Sequence, residues 1–277
     1  MYEDAINGHG QLLRSGLFPT RWLGAFALVL AITAMGCAPE KGQTMSSITE
    51  AEFPDPTLRR AAQLVEEGSV KEAIRLAEKV PDGINAIGPE DDTLLIVAIK
   101  TGNSASIEAL LAAGANPNIP EKRSPIAVAA STAKIDAVQA LLSRGANPNG
   151  TSNQQSALWR AANNNRKDVV DLLLTHHASI DQVDGDEFTP ALAAAQVDRY
   201  RMVEYLLDRG ANPFVASSHG LTIGYWISKS NIPANSDEGR ARSAVLAKLR
   251  EGGFPWPPPS LAEVVSAKAA HRWPPQR

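Results

Sequence analysis

From residue 93 onward the apolar positions fall into two short stripes that alternate and recur. One starts at a hydroxyl residue and runs into small or branched apolar side chains: Thr93-Leu94-Leu95, Ser124-Pro125-Ile126, Ser156-Ala157-Leu158, Thr189-Pro190-Ala191 and Thr222-Ile223-Gly224. The other places apolar residues three and four apart, as in Ile107, Leu110, Leu111 and Val138, Leu141, Leu142, and returns at Leu173-Leu174 and Leu206-Leu207. Such spacing gathers side chains on one helix face, so each unit predicts a helix pair. The hydroxyl can cap the first helix, and proline just after it sits where no backbone donor is needed.

Glycine closes most units. Gly114-Ala115-Asn116-Pro117-Asn118 follows Leu110-Leu111, Gly145-Ala146-Asn147-Pro148-Asn149 follows Leu141-Leu142, and Gly210-Ala211-Asn212-Pro213 follows Leu206-Leu207. His177-Ala178-Ser179-Ile180-Asp181 is a worn copy. From the hydroxyl to the Gly or His marker is 21 residues in the copies starting at 93, 124, 156 and 189, while the marker-to-hydroxyl intervals from Gly83 onward are 10, 10, 11, 12 and 12. Packing fixes length and solvent does not, so the constant part predicts packed helices and the variable part surface loops. Alanine stands five residues after the hydroxyl at Ala98, Ala129, Ala161 and Ala194, small enough for a neighbouring helix to approach closely. Glycine supplies a left-handed cap and Asn-Pro starts the turn into the next unit.

These residues resemble the ankyrin repeat, whose signature is Thr-Pro-Leu-His-x-Ala followed by Leu-Leu-x-x-Gly-Ala. The resemblance covers residues 56–254 and implies an all-α solenoid of stacked helix pairs with loops projecting to one side. Ile96, Ala127, Trp159 and Leu192 replace the signature histidine, and His177 stands where glycine is usual. Histidine tolerates positive φ better than most residues. A degenerate first pair, Leu58 to Ala62 and Val70 to Ile74, is expected as the N-terminal cap. At the other end Thr222 to Gly252 is 30 residues, nine beyond the rule, which predicts an inserted loop at 231–238 before a last helix carrying Ala244, Val245, Leu246 and Leu249. Residues 255–277 form a Pro-rich tail with a short helix at Leu261 to Ala270. It either covers the last repeat or offers prolines to a recognition module.

Arg14 and Arg21 precede an uncharged run from Trp22 to Gly36 and then Cys37, the chain's one cysteine. As a helix the run reaches about 22 Å, short of a hydrocarbon core of about 30 Å, so a secretion signal over 1–36 is the expectation. Ala34-Met35-Gly36-Cys37 is similar to a bacterial lipobox, which implies acylation of Cys37 and a lipid anchor, with 37–55 as a flexible tether. Ala38 after the cysteine implies, by resemblance to enterobacterial lipoproteins, the periplasmic face of the outer membrane.

The remaining composition narrows the function. A net charge of −3 without a basic run argues against nucleic acid. The sequence has no glycine-rich phosphate loop and no nucleophile elbow, and its histidines lack further ligands at metal spacing. The chain is expected to be a monomer without catalytic residues, metal or cofactor; an envelope hydrolase with an unrecognised site is the alternative of another class.

The resemblance implies a concave partner-binding surface made of loop tips and the exposed ends of first helices. The tips supply Glu90, Asp92, Glu121, Arg123, Asn153, Gln155, Asp186, Phe188, His219 and Leu221; the helices supply Lys100, Asn163, Asn164 and Gln196. Phe188 and Leu221 are notable because an apolar tip costs solubility unless a partner or adjacent repeat covers it. Trp159 is read either as packing between helix layers or as a contact. The expected partner is a periplasmic or secreted protein. Two roles fit: immunity against a periplasm-delivered toxin, such as a type VI secretion lipase, and scaffolding of an envelope or oxidative-stress enzyme. The immunity role is an analogy of fold and location.

Overall fold

The computed structural model of the protein describes residue 48 and residues 52–132 and 135–274. The proposed signal segment 1–36, Cys37 and most of the proposed tether lie outside the described residues.

Helices follow in pairs: α1 (Pro56–Glu66) with α2 (Val70–Ala77), α3 (Leu94–Thr101) with α4 (Ser104–Ala112), α5 (Pro125–Thr132) with α6 (Ile135–Ser143), and α7 (Ala157–Asn163) with α8 (Lys167–Thr175). Then come α9 (Pro190–Gln196) with α10 (Tyr200–Asp208), α11 (Ile223–Lys229) with α12 (Asp237–Glu251), and finally α13 (Leu261–Ala269). The first helices of successive pairs pack in one row, α1 through α11 in order, and the second helices form an outer row. The result is an all-α solenoid. Its sheet content among the described residues is one hairpin, β1 (Thr151–Ser152) against β2 (Gln155–Ser156), turned by Asn153 and Gln154 at φ 51° and 64°. Two consecutive positive φ values give the turn a twist that matches the flanking strands.

The marker residues do local jobs. The hydroxyls of Thr93, Ser156, Thr189 and Thr222 accept the backbone N–H three residues on, in helices α3, α7, α9 and α11. Each such cap is worth about 1 kcal/mol. Ala98, Ala129, Ala161 and Ala194 have no exposed surface, and neither do Leu110, Leu141, Leu173 and Leu206. A larger side chain at those alanines would push the first-row helices apart. Gly114, Gly145 and Gly210 are left-handed, at φ 95°, 80° and 92°, and His177 adopts the same conformation at 64°.

The two asparagines of the Gly-Ala-Asn-Pro-Asn segment divide the work. The first turns its own loop: Asn116 Oδ1 accepts the Asn118 N–H at 2.9 Å, and Asn147 Oδ1 that of Asn149 at 3.0 Å. The second joins neighbouring repeats: Asn118 Oδ1 accepts the Asn147 N–H at 2.7 Å while its Nδ2 donates to the Gly145 carbonyl at 3.0 Å. Asn85 does the same one repeat earlier, accepting from Asn116 N–H at 2.8 Å and donating to the Gly114 carbonyl at 3.3 Å. Asn149 continues the ladder to the Ser179 N–H at 2.7 Å.

Two expected boundaries need correction, and one open alternative is decided. Phe53, placed in the tether, is fully buried, Ile48 is nearly so, and the Asp55 carboxylate caps α1 by accepting the N–H groups of Thr57 and Leu58. The packed domain thus includes the end of the segment read as tether, because the face of the first pair is apolar and needs a cover. The inserted loop is shorter than 231–238: Ser236 caps α12, whose first turn carries Asp237 and Glu238 in keeping with the helix dipole. The tail, left open between two roles, folds back. Phe254 is buried against Phe214 with ring centroids 6.3 Å apart and meets Trp273 edge-on at 6.0 Å, while Trp273 Nε1 donates to the Phe214 carbonyl at 2.8 Å. Lys268 on α13 pairs with Glu187 and donates to the carbonyls of Ala216 at 2.8 Å and Ser217 at 3.0 Å.

Candidate protein-binding surface

The loop tips and first-helix ends project from a scaffold whose register is fixed by the buried alanines and leucines. Along this side the predicted residues separate into those engaged within the fold and those turned to solvent.

Asp92 belongs to the fold. Its side chain is 1% exposed, Lys100 Nζ lies 2.8 Å from one carboxylate oxygen, and Arg123 faces the other at 3.3 Å. Arg123 also donates to the Glu90 carbonyl at 2.8 Å, across the junction of two repeats. Lys100 is further drawn to Glu52 at 3.9 Å. This cluster clamps the first two loops together, and Asp92 is corrected from a contact residue to an internal counter-ion. The position looks exposed in sequence because it is charged and precedes a cap; the next loop covers it.

Phe188 is likewise corrected. It is 7% exposed and packs in the apolar core, with its N–H held by Asp184 Oδ1 at 2.8 Å. Leu221 is half-buried against the same core, and its N–H reaches Ser217 Oγ at 3.1 Å. The chain itself covers Phe188 almost fully and Leu221 in part.

The polar candidates are turned outward: Glu90, Glu121, Asn153, Asp186, His219, Asn164 and Gln196 are exposed, and Gln155 and Asn163 half-exposed. Two of them also brace backbone. Asn164 Nδ2 donates to the Arg160 carbonyl at 2.8 Å, and the Asp186 carbonyl accepts the Ser218 N–H at 3.1 Å. Val197 beside Gln196 is 44% exposed, a large apolar side chain at the end of a first helix.

Trp159 is half-buried against the core, and its Nε1 is enclosed without an acceptor. Arg160 donates to the Ser152 carbonyl at 2.9 Å and to Ser131 Oγ at 3.4 Å, which ties α7 to the hairpin and to α5. Burial, with the nearby Arg123 charge second, lowers its pKa. The signal that would have found it is register: the same position in the other repeats holds Val97, Val128, Ala193 and Trp226.

Among the described residues no group of three or more His, Cys, Asp or Glu is placed to hold a metal ion, and no helix is long and apolar enough to cross a membrane. No curated protein matches the chain. A family model described as ankyrin repeats (3 copies) matches residues 58–152 and 126–217, the same stretch in which the hydroxyl cap, the buried alanine and the left-handed marker recur in one register. The chain belongs to the ankyrin-repeat family, whose fold is typically a non-catalytic scaffold for protein–protein interaction.

Proposed function

We propose that this protein is a lipid-anchored scaffold of the bacterial cell envelope that binds one partner protein on its loop-and-first-helix side. The observation that carries the binding reading is a division of labour within single helices. On α7 and α9 the alanines and leucines are buried, while half-exposed Asn163 and exposed Asn164, Gln196 and Val197 at the ends of the same helices differ from repeat to repeat. Stability needs the first set to be uniform. It places no demand on the second, which is free to match a partner.

The envelope location is supported by the arginine-then-apolar leader and the lipobox-like Ala34-Met35-Gly36-Cys37. Within that location the immunity role and the scaffold role make the same structural demand, a stoichiometric complex with a single protein. The tagged full chain recovered from envelopes should carry one such partner. Asn163→Lys combined with Gln196→Lys should weaken the complex at least about ten-fold, the cost of forcing two charges into a matched interface. An unchanged affinity would place the interface elsewhere. If the recovered partner is a toxin whose activity stops on binding, immunity is the role; an envelope enzyme that stays active in the complex favours scaffolding. Cys37→Ser should release the protein from membranes, and continued membrane association would overturn the anchor.

A further inference from the structure

Arg160 is the one charged residue at its register, and the described residues supply it with no counter-ion. One side of its guanidinium donates to the Ser152 carbonyl and the other to Ser131 Oγ, both neutral, and its Nε is enclosed without an acceptor. Among the described residues no Asp or Glu oxygen lies within 4.0 Å of it. Asp92, the buried acid on the same side of the solenoid, is already shared by Lys100 and Arg123. The positions around Arg160 include uncharged Ser131, Gln155, Asn163 and Gln196, and the nearby cation Arg123 is itself paired with Asp92. A half-buried guanidinium has given up part of its hydration, and a carboxylate is the partner that restores the balance through paired hydrogen bonds.

We infer that Arg160 receives one carboxylate side chain, an Asp or Glu, from a segment of the partner protein laid along the loop-and-first-helix side. The charge pattern limits the occupant to a single acid flanked by uncharged residues. Exposed Glu121 and Asp186 stand on the loop tips to either side, so a chain of successive negative charges meets like charge beyond Arg160. A polyanion such as a nucleic acid is therefore disfavoured by the same surface that favours one acid. This inference rests on the protein-binding reading above and names the chemistry of its partner.

The test uses the full chain and a phage-displayed library of short random peptides as the probe. Enriched peptides should share one Asp or Glu. Changing that acid to its amide should weaken binding by about ten-fold or more, the value of one charge-assisted pair. Arg160→Gln should cause a similar loss, and the amide peptide should lose little further on that variant, since the two groups act on each other. Helical circular dichroism confirms that the variant folds; if it does not, the acid-to-amide comparison on the native chain decides. Enriched peptides that bind with no acid, or an acid-to-amide change without loss, overturn the inference while leaving the binding reading intact. Failure to enrich any peptide counts against both, and tighter binding of an oligonucleotide than of any peptide overturns the choice of occupant.

Discussion

The carboxylate of Asp181 accepts the backbone N–H of Asn212 through both oxygens, at 3.0 and 3.1 Å, in the ladder position that asparagine fills at 85, 118 and 149. A carboxylate accepts as well as an amide does, but it cannot donate to the carbonyl of the marker residue as Asn85 and Asn118 do. Burial raises its pKa above the ordinary 3.8, and the hydrogen bond from Asn212 only partly offsets that. Folding therefore favours the protonated form. The stability contributed by this group is complete below the unfolded pKa and lost as pH rises through the folded one.

Asp181→Asn should stabilise the protein at neutral pH by about 1 kcal/mol, through relief of desolvation and a new donor to the Gly210 carbonyl. Thermal unfolding reads this as a melting temperature higher by a few degrees. The native chain should also lose stability between acid and neutral pH relative to the variant. A variant that melts lower at neutral pH would contradict the assignment of Asp181 as a strained member of the ladder.

Asp92 gives the opposite result. Asp92→Ala leaves Lys100 and Arg123 facing each other without their shared anion, and the expected loss is about 2 kcal/mol, below the cost of a fully buried pair because both cations are partly hydrated. Chemical denaturation measures it. Repeating the measurement at high salt should change little of the loss, since the carboxylate is 1% exposed and poorly screened.

Phe188→Ala should act on stability and leave the binding surface alone. Removing a buried ring opens a cavity, with a cost of about 3 kcal/mol. At a temperature where the variant remains folded its partner affinity should equal that of the native chain. A loss of affinity without a loss of stability would restore Phe188 to the interface.

How far the sequence could be read follows from where each residue's partner lies. Thr93, Ala98 and Gly114 act on atoms within their own unit, through a cap, a close approach and a left-handed turn, so type and spacing disclose them. Asn118 acts on a backbone N–H 29 residues away, and its side chain alone looks like ordinary turn chemistry. Asp92 and Phe188 are buried by neighbouring loops, which a single unit does not reveal. Phe53 is one aromatic in a polar stretch, without a period to place it. Arg160 is the exception in a register of apolar residues, but its lack of a counter-ion among the described residues is a property of three repeats together.

The tail offers a test in which the sign of an effect is diagnostic. Gly224 lies inside α11, where alanine normally adds about 1 kcal/mol over glycine. Here a Cβ at 224 would stand 2.3 Å from Phe254 Cε1 and 2.6 Å from its Cζ, so the ring that anchors the tail must move. Gly224→Ala should therefore destabilise the native chain by about 1–3 kcal/mol, the range for overpacking a core. In a Phe254→Ala background the obstruction is gone and the same substitution should become neutral or stabilising. A double-mutant cycle from denaturant melts gives the coupling directly, and its size reports the seating of the ring on α11. If Gly224→Ala stabilises both backgrounds alike, Phe254 does not rest on that helix in solution, and the tail does not cover the last repeat.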